Sequence, residues 1–123
     1  MAPEVVQGST NYTVMCDVYS YAIVLWELLS RRMPWQDKFK FKEQVIWQVA
    51  KGGRPPLFHN CPQIIEELLT KCWSQNAIER LFMREVELKV QQLVHFCPIP
   101  TNETKSDSFP LQNGIDLKKF INN

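Results

Sequence analysis

The longest apolar stretch of the chain covers residues 16–35 and reads CDVYSYAIVLWELLSRRMPW. Between positions 18 and 29 only Ser20 and Glu27 interrupt a run of apolar and aromatic side chains. A helix that is apolar around its whole circumference is buried on every side. Residues 17–31 would form a rod of about 22 Å, because each helical residue adds about 1.5 Å. The pattern therefore predicts a central core helix that is too short to span a bilayer.

Three later segments repeat apolar residues with the period of a helix. Positions 41–50 have this amphipathic pattern, and Gly52 and Gly53 follow where a helix would end. The same period predicts helices over 63–73 and 82–96. Residues 98–123 are rich in Asn, Ser, Thr and Lys and lose the period, which predicts a disordered tail. The predicted fold class is mainly α, with one central buried helix and three amphipathic helices.

Composition and charge narrow the class of partner. The chain has 123 residues and a formal net charge of +1, which argues against a strongly steered nucleic-acid or membrane partner. Residues 1–15 lack the apolar run of a secretory signal, so we expect a cytoplasmic protein with reduced cysteines.

Two H-x-C patterns, at 59–61 and 95–97, match no common zinc motif, and no metal site is predicted.

Four short motifs, in this order, resemble the C-terminal lobe of a eukaryotic protein kinase. Ala2-Pro3-Glu4 resembles the A-P-E that closes the activation segment in that family. Residues 17–28 resemble its central helix, and residues 53–56 resemble the connection after the following helix. Trp73 and Arg80 have the spacing of the W-x(6)-R motif near the end of the domain. Residues 1–97 are therefore identified as a partial kinase domain. Within the tyrosine-kinase-like group of serine/threonine kinases, they most closely resemble the TGF-β-activated MAP kinase kinase kinase.

The resemblance implies structural roles for six residues, namely Ala2, Pro3, Glu4, Asp17, Trp73 and Arg80. In the family, the residue matching Glu4 pairs with the one matching Arg80. If that pair is buried, loss of one partner costs about 3–5 kcal/mol; an exposed pair is worth less than about 1 kcal/mol. Asp17 matches an aspartate that accepts hydrogen bonds from the backbone of the catalytic loop. Its plainer alternative is an N-cap or first-turn carboxylate of the core helix, and the two roles are compatible.

The motifs of phosphoryl transfer do not occur in this sequence. That reaction needs a Gly-rich loop, a strand Lys paired with a Glu, an H-R-D base and a D-F-G aspartate that holds Mg²⁺. We therefore predict no catalytic or cofactor-binding residue in this chain, and assign ATP and Mg²⁺ to the intact family. Ala22, Ala77 and Leu81 depart from the family pattern, which favours a diverged copy. Met1 is either an internal methionine of a longer kinase or the start of a short protein, and the sequence leaves both open.

Three functions are compatible with this sequence. The first is a fragment or truncated paralogue of a MAP kinase kinase kinase, inactive alone, whose parent uses ATP to phosphorylate downstream kinases in stress or immune signalling. The second is a non-catalytic docking or decoy module that binds a kinase regulatory or activator subunit, or the remaining kinase segment, through helices 41–50 and 63–73. The third is a degenerate copy without function. In each case we expect exposed apolar surface on the core helix, at Ile23, Leu25, Trp26 and Leu28, and hence an aggregation-prone or partner-seeking chain.

Overall fold

The computed structural model describes residues 1–96, and these residues form helices and no strand. The α-helices are α1 (Pro3–Val6), α2 (Val14–Ser30), α3 (Lys42–Ala50), α4 (Gln63–Cys72) and α5 (Met83–Phe96), with a 3₁₀ turn at Ala77–Glu79. The predicted mainly α fold class is confirmed. The predicted tail over 98–123 lies outside the described residues. Within residues 1–96, none of the helices is long and apolar enough to cross a membrane.

The ends of α2 follow from local backbone chemistry. The helix begins at Val14, so Asp17 lies in its first turn. A carboxylate there interacts favourably with the positive end of the helix dipole. Thr13 is the N-cap residue, and the N-cap alternative for Asp17 is therefore wrong. At the other end Arg31 takes a left-handed conformation, with φ of 55°, and its N–H donates to the Glu27 carbonyl at 2.9 Å.

Gly52 and Gly53 end α3 as predicted. The N–H of Gly52 donates to the Val49 carbonyl and that of Gly53 to the Gln48 carbonyl, at 3.0 and 2.8 Å. This pair of bonds is the Schellman arrangement, which requires a left-handed residue just past the helix. Gly52 occupies that position with φ of 93°, where any side chain would be strained.

The core lies between α2 and α4, and α5 packs against α4. Trp26 fixes the connection that leads to α4, because its indole N–H donates to the Pro56 carbonyl at 2.8 Å. The apolar side chains buried at these contacts are Val18, Tyr19, Ala22, Trp26 and Leu29 of α2, Ile65, Leu68, Leu69 and Cys72 of α4, and Val86 of α5. The amphipathic helix predicted over 63–73 is therefore confirmed as α4.

The prediction that α2 is buried on every side is wrong for this chain. Val14, Val24 and Leu28 are 67%, 51% and 37% exposed, and Asp17 is exposed beside them. These residues recur every three or four positions, so they share one side of the helix, with the half-buried Tyr21 between them. We call Val14, Asp17, Tyr21, Val24 and Leu28 the outer stripe of α2. Within residues 1–96, the core packs against the other side of α2 and leaves every residue of this stripe except Tyr21 exposed.

Other apolar positions also differ from expectation. Trp26, expected to be exposed, is buried because it lies on the side of α2 that faces the core. Ile46 of α3 and Val94 of α5 lie within segments whose period predicts amphipathic helices, and both are exposed, at 45% and 40%. Periodicity identified α3, α4 and α5 correctly. It does not show how far around each helix its neighbours extend.

Candidate functional site

The Arg80 side chain is fully buried and is the centre of the polar interior. Its Nε donates to the Ser74 carbonyl at 2.9 Å, and Nη1 donates to the Met15 carbonyl at 2.9 Å. Nη1 and Nη2 also donate to the two carboxylate oxygens of Glu4, at 2.7 and 2.8 Å. An arginine stays charged in a protein, so burial is tolerable only when such partners replace its water. One side chain thus joins α1, the start of α2 and the segment before α5.

Glu4 is the counter-charge of this cluster. Its side chain is 24% exposed, and its Oε1 also accepts the thiol of Cys16 at 3.2 Å. The hydrogen bonds from Arg80 hold the pKa of Glu4 well below its usual value of 4.5, at about 2, although partial burial acts in the opposite direction. The carboxylate is therefore ionised throughout the neutral and mildly acidic range. A bidentate pair of this kind also fixes the relative orientation of its two partners.

Local structure places both partners before they meet. Pro3 sits at the first position of α1, where its fixed φ suits a helix start, and Glu4 follows in the first turn. Ala2 is 1% exposed and caps α1 with extended backbone. On the other side, the Asn76 side chain accepts the Ile78 N–H at 3.2 Å and stabilises the 3₁₀ turn that ends just before Arg80.

Tyr19 and Arg54 belong to the same cluster, although sequence reasoning did not select them. Two guanidinium groups lie close to the Tyr19 ring, with the Cζ atoms of Arg54 and Arg80 at 5.0 and 5.2 Å from its centroid. Arg54 donates to the Trp73 carbonyl at 2.7 Å and to the Gln75 side chain at 2.8 Å. Burial raises the pKa of Tyr19. Its hydroxyl is buried and has no hydrogen-bond partner within residues 1–96.

The structure brings together five of the six sequence-predicted residues. Ala2, Pro3 and Glu4 form the start of α1 against Arg80, and Trp73 joins them through its bond with Arg54. Asp17 is apart from this cluster, because it is exposed on the outer stripe of α2. In the described part of the chain its carboxylate accepts no hydrogen bond from another residue.

The hydrogen bonds around Glu4 and Arg80 are suited to a structural role. The carboxylate of Glu4 is committed to Arg80 and Cys16, and four donor positions of Arg80 are committed to protein acceptors. A general acid or base must be free to exchange its proton near the working pH, and a carboxylate with a pKa of about 2 cannot do so at neutral pH. We call this cluster of Glu4, Tyr19, Arg54 and Arg80 the anchor.

The family model and the similar proteins that match this chain are all protein kinases. Residues 1–90 match the family described as protein tyrosine and serine/threonine kinase. The chain is 42% identical over 98 residues to Mitogen-activated protein kinase kinase kinase 7 of Homo sapiens, covering 80% of this chain and 16% of that protein. For the protein of the same name in Drosophila melanogaster the values are 43% over 94 residues, 76% and 14%. Probable serine/threonine-protein kinase roco7 of Dictyostelium discoideum is 33% identical over 109 residues, which is 79% of this chain and 4% of that protein. The chain thus spans about a sixth of the length of the first of these relatives.

We expect the chain to lose much of its stability when the charge of Glu4, the partner of Arg80, is removed. Glu4→Gln leaves the buried Arg80 without a counter-charge and should lower the free energy of unfolding by about 3 kcal/mol. Urea titration of the full chain, followed by tryptophan fluorescence at low concentration, measures this. Glu87→Gln, an exposed carboxylate on α5, is the matched control and should change stability by less than about 0.5 kcal/mol. Equal effects of the two substitutions would contradict a buried pair.

The depressed pKa of Glu4 predicts a specific acid sensitivity. Because the pKa is about 2 in the folded chain and 4.5 ordinarily, the stabilisation is fully present above pH 4.5 and is lost as pH falls toward 2. The difference in unfolding free energy between the native chain and Glu4→Gln should therefore shrink across this window. The same urea titrations, repeated at several pH values, test it. A difference that stays constant from pH 5 to pH 2 would rule out this linkage.

The unpaired hydroxyl of Tyr19 predicts an asymmetry between two substitutions. Tyr19→Phe keeps the ring close to both guanidinium groups and removes a buried polar atom, so stability should stay the same or rise by up to about 1 kcal/mol. Tyr19→Leu removes the aromatic faces and should lower stability by about 1 kcal/mol or more. Thermal unfolding of both variants provides the comparison. If Tyr19→Phe is as destabilising as Tyr19→Leu, the hydroxyl has a partner.

Proposed function

We propose, for a chain that belongs to the protein tyrosine and serine/threonine kinase family, that it forms the helical base of a MAP kinase kinase kinase-like serine/threonine kinase domain. In this proposal the chain does not itself transfer phosphate, since its sequence holds no motif for ATP, Mg²⁺ or the catalytic base. It provides the anchor and a surface on which the remaining kinase segment packs.

The outer stripe of α2 is the observation that carries this proposal. An apolar stripe on a helix of 17 residues is normally a packing surface, and here Val14, Val24 and Leu28 are open to solvent. At about 25 cal/mol per Å², covering several such side chains is worth several kcal/mol. A segment of the same kinase domain is the occupant that the family membership supports. This packing would place the anchor directly beneath the catalytic half of the domain.

Asp17 is the charged residue of the outer stripe and could bind the segment that packs there. It is exposed at the end of the stripe that lies nearest the anchor, one turn before Tyr21. A carboxylate in that position can accept backbone N–H groups from a segment that crosses the start of the helix. By resemblance to the family, we assign that segment as the catalytic loop. The same contact would fix the loop relative to Arg80, because Arg80 donates to the Met15 carbonyl in the same turn.

The activity belongs, in this proposal, to the intact parent. It would transfer the γ-phosphoryl group of ATP, with Mg²⁺, to a Ser or Thr hydroxyl of a downstream kinase in a cytoplasmic MAP kinase pathway. Nothing in the net charge of +1 favours a nucleic-acid or membrane surface as the main partner.

A second function is favoured by a separate observation. Trp47 and Ile46 on α3 are 58% and 45% exposed, on the part of the lobe that faces away from the core. Large exposed apolar side chains on an ordered helix are typical of protein–protein contact sites. We propose that this face docks a kinase regulatory subunit, whether or not the chain is joined to a catalytic half.

A chimera tests the first function. We propose to replace the matching segment of the Drosophila melanogaster relative with residues 1–96 and to measure phosphate transfer from ATP. The chimera should be active, and this chain alone should transfer no phosphate. Val24→Asp in the chimera should reduce the rate at least about tenfold, because a buried unpaired carboxylate would separate the two halves.

Val94→Asp is the matched control for this experiment, since Val94 is exposed on α5 and away from the stripe. It should leave the rate of the chimera within about twofold of the parent. The proposal is wrong if the Val24→Asp chimera is as active as the Val94→Asp chimera, or if residues 1–96 give an inactive chimera although both halves are folded. Circular dichroism of each chimera reports on the second condition.

A further inference from the structure

We infer that, when the chain is not joined to a catalytic half, the outer stripe of α2 binds the outer stripe of a second copy, with the two helices antiparallel. The inference goes beyond the proposed function, which concerns what covers the stripe inside a complete kinase domain. Three observations on the described residues carry it: the spacing of the stripe, its exposure on an ordered helix, and the opposite charges at its two ends.

The outer stripe has the spacing of a coiled-coil seam. Its residues stand at positions 14, 17, 21, 24 and 28, and one further step of three positions leads to Arg31. The steps therefore alternate between three and four, which is the heptad repeat along which two helices pack. The core uses other positions of α2, because Ala22, Trp26 and Leu29 are buried. The stripe is thus a second packing side of the same helix.

The stripe is exposed although the helix that carries it is firmly held. All of its apolar residues except the half-buried Tyr21 are exposed. The Arg80 side chain bonds to α2 near its start, at the Met15 carbonyl, and the Trp26 indole ties its second half to the Pro56 carbonyl. A helix that is already ordered by its own core loses less conformational entropy on pairing than a free peptide would. The stripe is therefore a preformed surface.

Opposite charges lie at the two ends of the stripe. Asp17 is exposed near its start, and Arg31 and Arg32 are exposed directly after its end. A parallel pair would set Asp17 against Asp17 and Arg31 against Arg31, and like charges in contact oppose binding. An antiparallel pair brings Asp17 of each copy toward Arg31 of the other. It also places the negative end of each helix dipole beside the positive end of the other. The charges thus select the antiparallel orientation.

This orientation makes the stripe complementary to itself. A pair of copies related by a two-fold axis is isologous, so every contact occurs twice. Tyr21 and Val24 of both copies lie around the axis, and one contact between Asp17 and Arg31 lies at each end. One surface therefore supplies the apolar centre and both charged ends of the interface.

Other occupants fit the stripe less well. Residues 1–30 contain three acidic side chains and no basic one, so an anionic membrane or a nucleic acid would be repelled. The sequence of residues 97–123 holds no stretch of two heptads free of proline and glycine, and such a stretch is needed to match the seam. A second copy has both the spacing and the complementary charges.

Sedimentation equilibrium of the full chain tests the inference. It should show monomer and dimer related by a single Kd and no larger species, because a two-fold pair is closed. Val24→Asp puts a carboxylate at the centre of the seam and should raise this Kd at least about tenfold. Val94→Asp, at an exposed position of α5, is the matched control and should leave the Kd within about twofold of the native value.

An exchange of charges tests the antiparallel orientation. Asp17→Arg and Arg31→Asp should each raise the dimer Kd severalfold at about 0.1 M salt, because each sets like charges together at both ends. Aspartate suits position 31, where the backbone is left-handed. The double variant should pair with itself nearly as tightly as the native chain. An equimolar mixture of the two single variants should also pair, since opposite charges then meet at both ends.

Several results would overturn the inference. These are a monomer at every concentration, aggregates of undefined size in place of a dimer, and equal dimer Kd values for Val24→Asp and Val94→Asp. The antiparallel pair is also wrong if the double variant and the mixture associate no better than the single variants, with all of them folded by circular dichroism.

The chimera experiment gives an independent result. An active chimera together with a monomeric chain would leave the proposed function standing and the second copy excluded. An inactive chimera together with a dimer that depends on Val24, Asp17 and Arg31 would leave the inference standing without the proposed function.

Discussion

A buried guanidinium needs a counter-charge and acceptors for its N–H groups, and Arg80 obtains them from parts of the chain that lie far apart in sequence. Glu4 lies 76 residues away, and the Met15 and Ser74 carbonyls come from two further segments. The Tyr19 ring lies close to this group and to Arg54, which in turn donates to the Trp73 carbonyl. The positions of α1, the start of α2 and the turn before α5 thus depend on one charge being satisfied. Loss of the anchor would release all three together.

The anchor also determines how the exposed apolar surface of α2 is oriented. The anchor fixes α1 and the start of α2, so the outer stripe of α2 is presented in a defined orientation even where nothing within residues 1–96 covers it. α3 is held at its end by two hydrogen bonds, from Gln7 and Gln75, to the Ala50 carbonyl. A rigid helical base with two uncovered apolar faces is consistent with a part of a kinase domain that organises other segments. It is less consistent with a small protein whose apolar surface is complete in itself.

Much of this architecture could be predicted from the sequence, because helical period, Gly52 and the W-x(6)-R spacing are local signals. The Glu4–Arg80 contact came from family resemblance, since no local pattern joins residues so far apart. Tyr19 and Arg54 were missed because their cluster depends on how α2 and the connection to α4 meet in space. The exposure of Leu28 was predicted, whereas that of Val24 was missed. Periodicity reports which side chains are apolar, and the surroundings decide how many sides of a helix are covered.

A direct titration of the Glu4 carboxyl carbon by NMR tests the central claim most simply, because it reports the state of one group in the folded chain. The structure predicts a midpoint near pH 2, set mainly by the hydrogen bonds from Arg80. A midpoint near the ordinary value of 4.5 would contradict the account, since it would mean that the buried guanidinium and this carboxylate are not paired.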